Sequence, residues 1–418
     1  MAEIAYQFTI NLFAFLIQFV APFNRKIKLG VTGRKGLIDE MEKSFQSLAA
    51  GRPVVWFHAA SLGEFEQGRP VMEAYRNQYP GHFILLTFFS PSGYEIRKSY
   101  SGADYICYLP FDTLSNAKRF VEIVNPRIVF FIKYEFWFNY LIELKKNGSY
   151  ILSFSSIFRP GQVFFKSYGG FFRRMLESFN HIFVQNAQSI ELLHGAGIMS
   201  CSIAGDTRFD RVKTIADNAR DLPEIALFRN EKICMVAGSV WAADMQVLIP
   251  VLNGSKGKLK AIIAPHEIKK DEISGWRNSL EGKSLLYSEL DKTADTEQFD
   301  YLIIDNIGML SSLYRYGDMA YIGGSFGAGL HNILEAATFG LPIIFGNKGY
   351  HRFQEAVDLK EKGGAIAVAD SDSARSTINQ WIENPGDRMG AGKVNEQYVL
   401  SGIGATDTIM DKVKETLG

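Results

Sequence analysis

Short apolar segments recur along the chain, and most are separated by stretches with the spacing of an amphipathic helix. In the first half, Val54–His58, His82–Phe88, Tyr105–Leu109, Ile128–Ile132, Ser149–Phe154 and His181–Val184 read as strands. Helices are expected over Gly93–Tyr100, Leu114–Val124 and Ala187–His194, and after Ser61 or Gly63. In the second half the strands are Ile233–Ala237, Lys260–Ala264, Ser284–Tyr287, Tyr301–Ile304, Met319–Ile322, Leu341–Phe345 and 364–369. Helices there are expected from about Ala242 to Leu252, His331 to Phe339, Phe353 to Leu359 and Ala374 to Glu383. Such strand and helix succession is what a parallel, doubly wound sheet requires. Between the halves, Ala204–Val212 holds turn formers and no apolar run, and reads as a domain junction before the polar, helical Thr214–Asn230.

The first segment breaks this rhythm. Ile4–Phe23 carries no charged residue over about the length needed to cross a bilayer, and Arg25, Lys26, Lys28, Arg34 and Lys35 follow at once. That order predicts a membrane anchor with the body on the cytoplasmic side; a cleaved signal peptide would carry its positive charge before the apolar run. Gln7, Thr9, Asn11 and Gln18 dilute the run, so spanning and lying in the interface both stay open, with a buried core helix as the remaining alternative. FFKSYGGFFRRML is basic and aromatic together. It reads either as a lipid-facing helix or as a core contact with Arg173 and Arg174 facing water.

At 418 residues the chain suits two domains. Its 45 basic and 45 acidic residues cancel, which implies no nucleic-acid partner. Cys107, Cys201 and Cys234 are far apart, without metal-ligand spacing, and read as reduced core residues.

Candidate chemistry gathers where strands end, the edge at which open α/β sheets place their sites. Glu64 follows strand Val54–His58, and Lys133 and Glu135 follow Ile128–Ile132. Arg159 lies in a later loop and suits a carboxylate or phosphate. Gly238 and Ser239 open one turn that suits a phosphate, and Gly323, Gly324, Ser325, Gly327 and Gly329 open another, with His331, Asn332 and Glu335 beyond. Asp370 and Asp372 spell the DxD of metal-dependent A-type glycosyltransferases, but Asp and Ser between a strand and a helix are ordinary N-cap residues.

Several of these stretches together resemble the 3-deoxy-D-manno-octulosonic acid (Kdo) transferases, glycosyltransferases of the B type. HAASLGE is similar to the signature whose glutamate is the catalytic base, a place that Glu64 takes. KYEFWFN resembles the Lys-Thr-Glu-Leu-Trp-Pro-Asn motif, with Tyr134 and Phe138 replacing Thr and Pro, and Glu135 inherits a role at the acceptor or donor sugar. In AGDTRFDRV, Arg208 takes the basic position and Asp210 the acidic one. The turn at Ser239, the proline–histidine pair Pro265 and His266, and the donor motif GGSF…HNILEAA (Gly324, Ser325, Phe326, His331, Asn332, Glu335) complete the match.

The resemblance implies a GT-B fold of two Rossmann-like domains facing a cleft, plus the N-terminal helix. The implied parts are 1–30 as anchor, 31–207 as acceptor domain, 208–400 as CMP-Kdo domain and 401–418 as a helix crossing back. It implies inverting, metal-independent transfer from CMP-Kdo to a lipid A precursor at the cytoplasmic face of the inner membrane, with no cofactor and no metal. Another B-type glycosyltransferase, a UDP-sugar epimerase and a non-catalytic membrane scaffold are the alternatives.

Overall fold

The computed structural model describes residues 2–292 and 295–417. The chain divides into two units, Met1–Arg211 with Ile403–Gly418, and Val212–Gly402.

The first unit is built on strands β1 (Val54–Ala59), β2 (Phe83–Phe88), β3 (Tyr105–Tyr108), β4 (Ile128–Ile132), β5 (Tyr150–Ser156), β6 (His181–Val184) and β7 (Cys201–Ile203). They form one parallel sheet in the order β3-β2-β1-β4-β5-β6-β7. Helices cover both faces, so its central strands are apolar on both sides. Trp56, Leu85, Val129 and Phe131 enter one core, whereas Phe57, Leu86, Phe130 and Ile132 enter the other. The C-terminal helix Ala405–Leu417 buries Ile409, Met410 and Val413 in that second core. Asp210 fastens its start, accepting from Gly404 N, Thr406 N and Thr406 Oγ1 at 2.7 Å each.

The second unit carries β8 (Cys234–Val240), β9 (Lys260–Pro265), β10 (Ser284–Leu286), β11 (Tyr301–Ile303), β12 (Met319–Ile322), β13 (Ile343–Gly346) and β14 (Ala365–Val368). These strands also form one parallel sheet, in the order β10-β11-β9-β8-β12-β13-β14.

The structure differs from the sequence pattern in places that bear on function. The helix expected over His331–Phe339 is a single turn, Leu334–Ala337. The preceding backbone is spent on closing its own loop, Gly329 N bonding Gly324 O at 2.9 Å and His331 N bonding Gly323 O at 3.2 Å. Ala204–Val212 is not all turn, because helix Thr207–Asp217 begins inside it. Pro223 starts a separate helix, Pro223–Arg229, within the polar run read as continuous. Asp370 is the N-cap of helix Ser371–Glu383, in a capping box with Ser373. The aromatic run packs inward, with Phe164 buried and Phe171 and Phe172 against the first unit's core. Arg173 bonds the carbonyls of Phe164 and Lys166, and Arg174 pairs with Glu3.

Candidate functional site

In the first unit, ionisable side chains meet at the C-terminal ends of β1 and β4. Glu64 stands in the first turn of helix Leu62–Gln78, where Ser61 Oγ donates to its Oε2 at 3.0 Å. Burial raises its pKa and the charge of Glu135 raises it further; the Ser61 hydrogen bond, Lys133 and His58 pull the other way without cancelling the shift. Glu135 is held by Trp137 Nε1, which donates to its Oε2 at 2.8 Å, and by His58 Nε2 at 3.3 Å.

His58 is fully buried on β1, with Nδ1 at 2.8 Å from Thr87 Oγ1. The indole of Trp56 also donates to that hydroxyl, at 2.7 Å. Assigning the Thr87 proton to His58 Nδ1 leaves the imidazole proton on Nε2, facing the carboxylate that needs a donor. Trp56, Thr87, His58 and Glu135 therefore form one chain of hydrogen bonds from the core to the strand end.

The backbone is strained at the same edge. Lys133 (φ 70°) and Ser155 (φ 53°) are non-glycine residues in the left-handed region, where each costs about 1–3 kcal/mol. Lys133 is over-determined by N–H donation to Phe154 O at 2.9 Å and by Ser156 Oγ donating to its carbonyl at 2.8 Å. Ser155 Oγ reaches Thr207 Oγ1 at 2.9 Å. Arg208 is engaged by Asp206, through Nε at 2.9 Å and a second guanidinium nitrogen at 2.8 Å, which partly offsets its charge.

In the second unit the strained residue is Ser239 (φ 53°), at the end of β8. A Cβ on Gly238 would sit 2.1 Å from Tyr314 Oη, so only glycine fits before it. The turn is pinned by Asp244, one turn into helix Ala242–Gly254, whose buried carboxylate accepts from Trp241 N, Gly324 N and Tyr321 Oη at 2.9 Å each. The Gly324 amide is thus spent on Asp244. Gly324 itself (φ 99°) is required because a Cβ would meet Gly329 O at 2.1 Å.

Three rings lie side by side above these turns. His266 stacks on Trp241 (4.4 Å, 27°) and on His331 (4.3 Å, 21°), and Trp241 Nε1 donates to His331 Nε2 at 2.9 Å. That bond makes Nε2 an acceptor, and burial together with His266 pushes the His331 pKa down to about 4, so the ring is a neutral donor through Nδ1. Ser325 is buried, and its Oγ has no partner among the described residues. A buried hydroxyl left open calls for a ligand or water. Asn332 caps the short helix through Leu334 N (3.2 Å) and donates to Glu335 Oε1 at 3.0 Å. Phe326 packs on Gly346, within 2.9 Å of where a Cβ would stand, and serves the core. Pro265 ends β9, next to His266, whose N–H bonds Val240 O at 2.9 Å.

His58 and Trp137 stand inside motifs quoted from the sequence, whereas Trp241 and Asp244 carry no role there. The signal for Asp244 was an acidic residue one turn after a Gly-Ser strand end. That its partners would include Gly324, 80 residues away, left no local mark.

The profile of the family described as 3-Deoxy-D-manno-octulosonic-acid transferase (kdotransferase) matches residues 32–211. The chain is 27% identical over 358 residues to 3-deoxy-D-manno-octulosonic acid transferase of Chlamydophila psittaci, covering 80% of this chain and 79% of that one. To the enzyme of the same name from Aquifex aeolicus it is 26% identical over 326 residues, covering 77% and 83%. Among solved structures, UDP-GlcNAc 2-epimerase from Neisseria meningitidis superposes with a TM-score of 0.59 at 13% identity, over 87% of this chain and 99% of that one. That likeness speaks to fold alone, a GT-B-like pair of parallel sheets. The match over residues 32–211 and these relatives make the chain similar to the Kdo transferases and mark it as a glycosyltransferase.

Proposed function

We propose that this enzyme transfers Kdo from CMP-Kdo to a sugar hydroxyl of a lipid A precursor, at the cytoplasmic face of the inner membrane, with inversion at the anomeric carbon. The observation that carries the reading is Glu64: a carboxylate in the family's base position, at a strand end, with its pKa raised by burial and by Glu135. A base poised nearer neutrality accepts a proton more readily than an ordinary glutamate. Glu64 takes the acceptor hydroxyl proton, the oxygen attacks the anomeric carbon, and CMP departs with the electrons of the broken bond. Glu135, fixed by Trp137 and His58, orients a sugar hydroxyl. In the second unit the Trp241, His266 and His331 rings offer flat surfaces to a nucleoside, and Ser239 and Ser325 offer hydroxyls to its phosphate. Glu335 binds the ribose.

Incubating the purified protein with CMP-Kdo and a tetra-acylated lipid A precursor tests this, with product mass counting the sugars added. Glu64→Gln is expected to abolish transfer while CMP still binds; an active variant removes Glu64 from the role of base. Protection by UDP rather than CMP would favour a UDP-sugar enzyme of the same fold.

A further inference from the structure

From the N-terminal helix we infer that this protein is held on an anionic bilayer surface by a helix lying in the plane of the interface, and that the helix does not span. The inference deepens the membrane placement proposed above and rests on it. Ala2–Val20 is about 28 Å long at 1.5 Å per residue, close to the hydrocarbon thickness. A spanning helix of that length would carry its first turn to the far side of the membrane. Here the first turns are bonded to the body that the rest of the chain forms. Tyr6 Oη donates to Asp112 Oδ2 at 2.5 Å, the Gln7 and Asn139 amides bond each other, and Glu3 pairs with Arg174 at 3.3 Å. Further along, the Phe13 ring meets Phe111 at 5.8 Å. One stripe, Tyr6, Gln7, Ile10, Ala14 and Ile17, turns inward, and Ile10 is its one buried member among the described residues.

The rest of the circumference is apolar and uncovered. Ile4, Phe8, Phe15 and Phe19 are 75, 69, 57 and 59% exposed, and Phe23 beyond the helix is 89% exposed. The polar side chains on this outer surface bond carbonyls of their own helix: Thr9 to Ala5 O, Asn11 to Gln7 O and Gln18 to Ala14 O. Satisfied in this way, they enter an apolar medium at reduced cost. Beyond the C-terminal end of this helix, the next one, Arg25–Thr32, exposes Arg25, Lys26 and Lys28, and exposed Lys35 follows. Aromatic rings beside a cluster of cations match an acyl boundary beneath anionic headgroups.

The test uses the full-length protein and vesicles with and without phosphatidylglycerol. Flotation is expected with the anionic vesicles. The triple variant Arg25→Glu, Lys26→Glu, Lys28→Glu should lower partitioning on the order of tenfold or more. Phe8→Glu with Phe15→Glu and Phe19→Glu should lower it at least as far, at an unchanged melting temperature because these side chains are exposed. For orientation, Ala2→Cys and Lys35→Cys are each placed in a Cys201→Ser background and bound to vesicles. A membrane-impermeant maleimide added outside should label both equally. An Ala2→Cys thiol that reacts only after the vesicles are lysed overturns the in-plane reading and leaves the membrane placement standing. A chain that ignores vesicles and forms a stable dimer through this face overturns both, and leaves the transfer reaction to its own assay.

Discussion

Each unit buries one aspartate that accepts the same set of donors, a tyrosine hydroxyl and two backbone amides. Asp112 takes Tyr6 Oη, Asn139 N and Tyr140 N, and Asp244 takes Tyr321 Oη, Trp241 N and Gly324 N. The first uses them to hold the N-terminal helix against its own unit. The second uses them to lock two turns beneath the stacked rings. The strand ends differ as well. The first unit presents Glu64, Glu135 and Lys133, whereas the second presents a neutral histidine, an indole and an open serine hydroxyl. Two parallel sheets of one architecture thus present one edge with paired carboxylates and another with stacked rings and a buried, open hydroxyl. The fold supplies the place, and the residues after each strand decide its chemistry.

The largest effect that would sharpen this contrast is on turnover. Glu64→Gln keeps size and hydrogen bonding but removes the carboxylate, and should abolish transfer, a loss in kcat of at least about 10²–10⁴-fold as measured by mass-detected transfer. Full activity would erase the distinction between the two edges. Next comes Asp244→Ala, which leaves two amides and a tyrosine hydroxyl unmatched in the core. It should cost about 3–5 kcal/mol in denaturant unfolding and weaken CMP binding, whereas transfer-competent turns in the variant would show that Asp244 does not hold them.

A smaller, directional effect follows from charge. Glu64 titrates above its ordinary range, so kcat/KM should fall as pH drops through that raised value. Glu135→Gln removes the negative neighbour and should move the acid limb of the residual activity to lower pH. An unmoved limb would mean that the two carboxylates do not interact. The smallest effect belongs to Asp112, whose pKa burial raises to about 7 against hydrogen bonds that lower it. Because the folded value exceeds the unfolded one, its contribution is full in acid and is lost as pH rises through about 7. Melting temperatures measured between about pH 5 and about pH 8 should therefore decline in the native protein and flatten in Asp112→Asn.

The strands and most helices were legible because burial on both faces writes itself as short apolar runs. Glu64 and Glu135 were legible because they directly follow such runs. The helix expected after His331 was not, since glycines and an apolar periodicity fit both a helix and a loop closing on itself, and the bonds to Gly323 and Gly324 decide between them. The stacking of Trp241 on His266 and His331 joins residues from three separate stretches, which no local pattern signals.

By itself the sequence determined the two-sheet architecture, the glycine and carboxylate strand ends and the apolar, cation-flanked first helix, because each depends on neighbours within a few residues. Tertiary structure alone decided which groups are spent and which remain to act. Asp244 takes the Gly324 amide, Asp206 engages Arg208, and Tyr6 and Gln7 bind the N-terminal helix to its own body. A hydrogen bond between distant residues depends on where the fold places them, and that placement is set by packing of the whole unit.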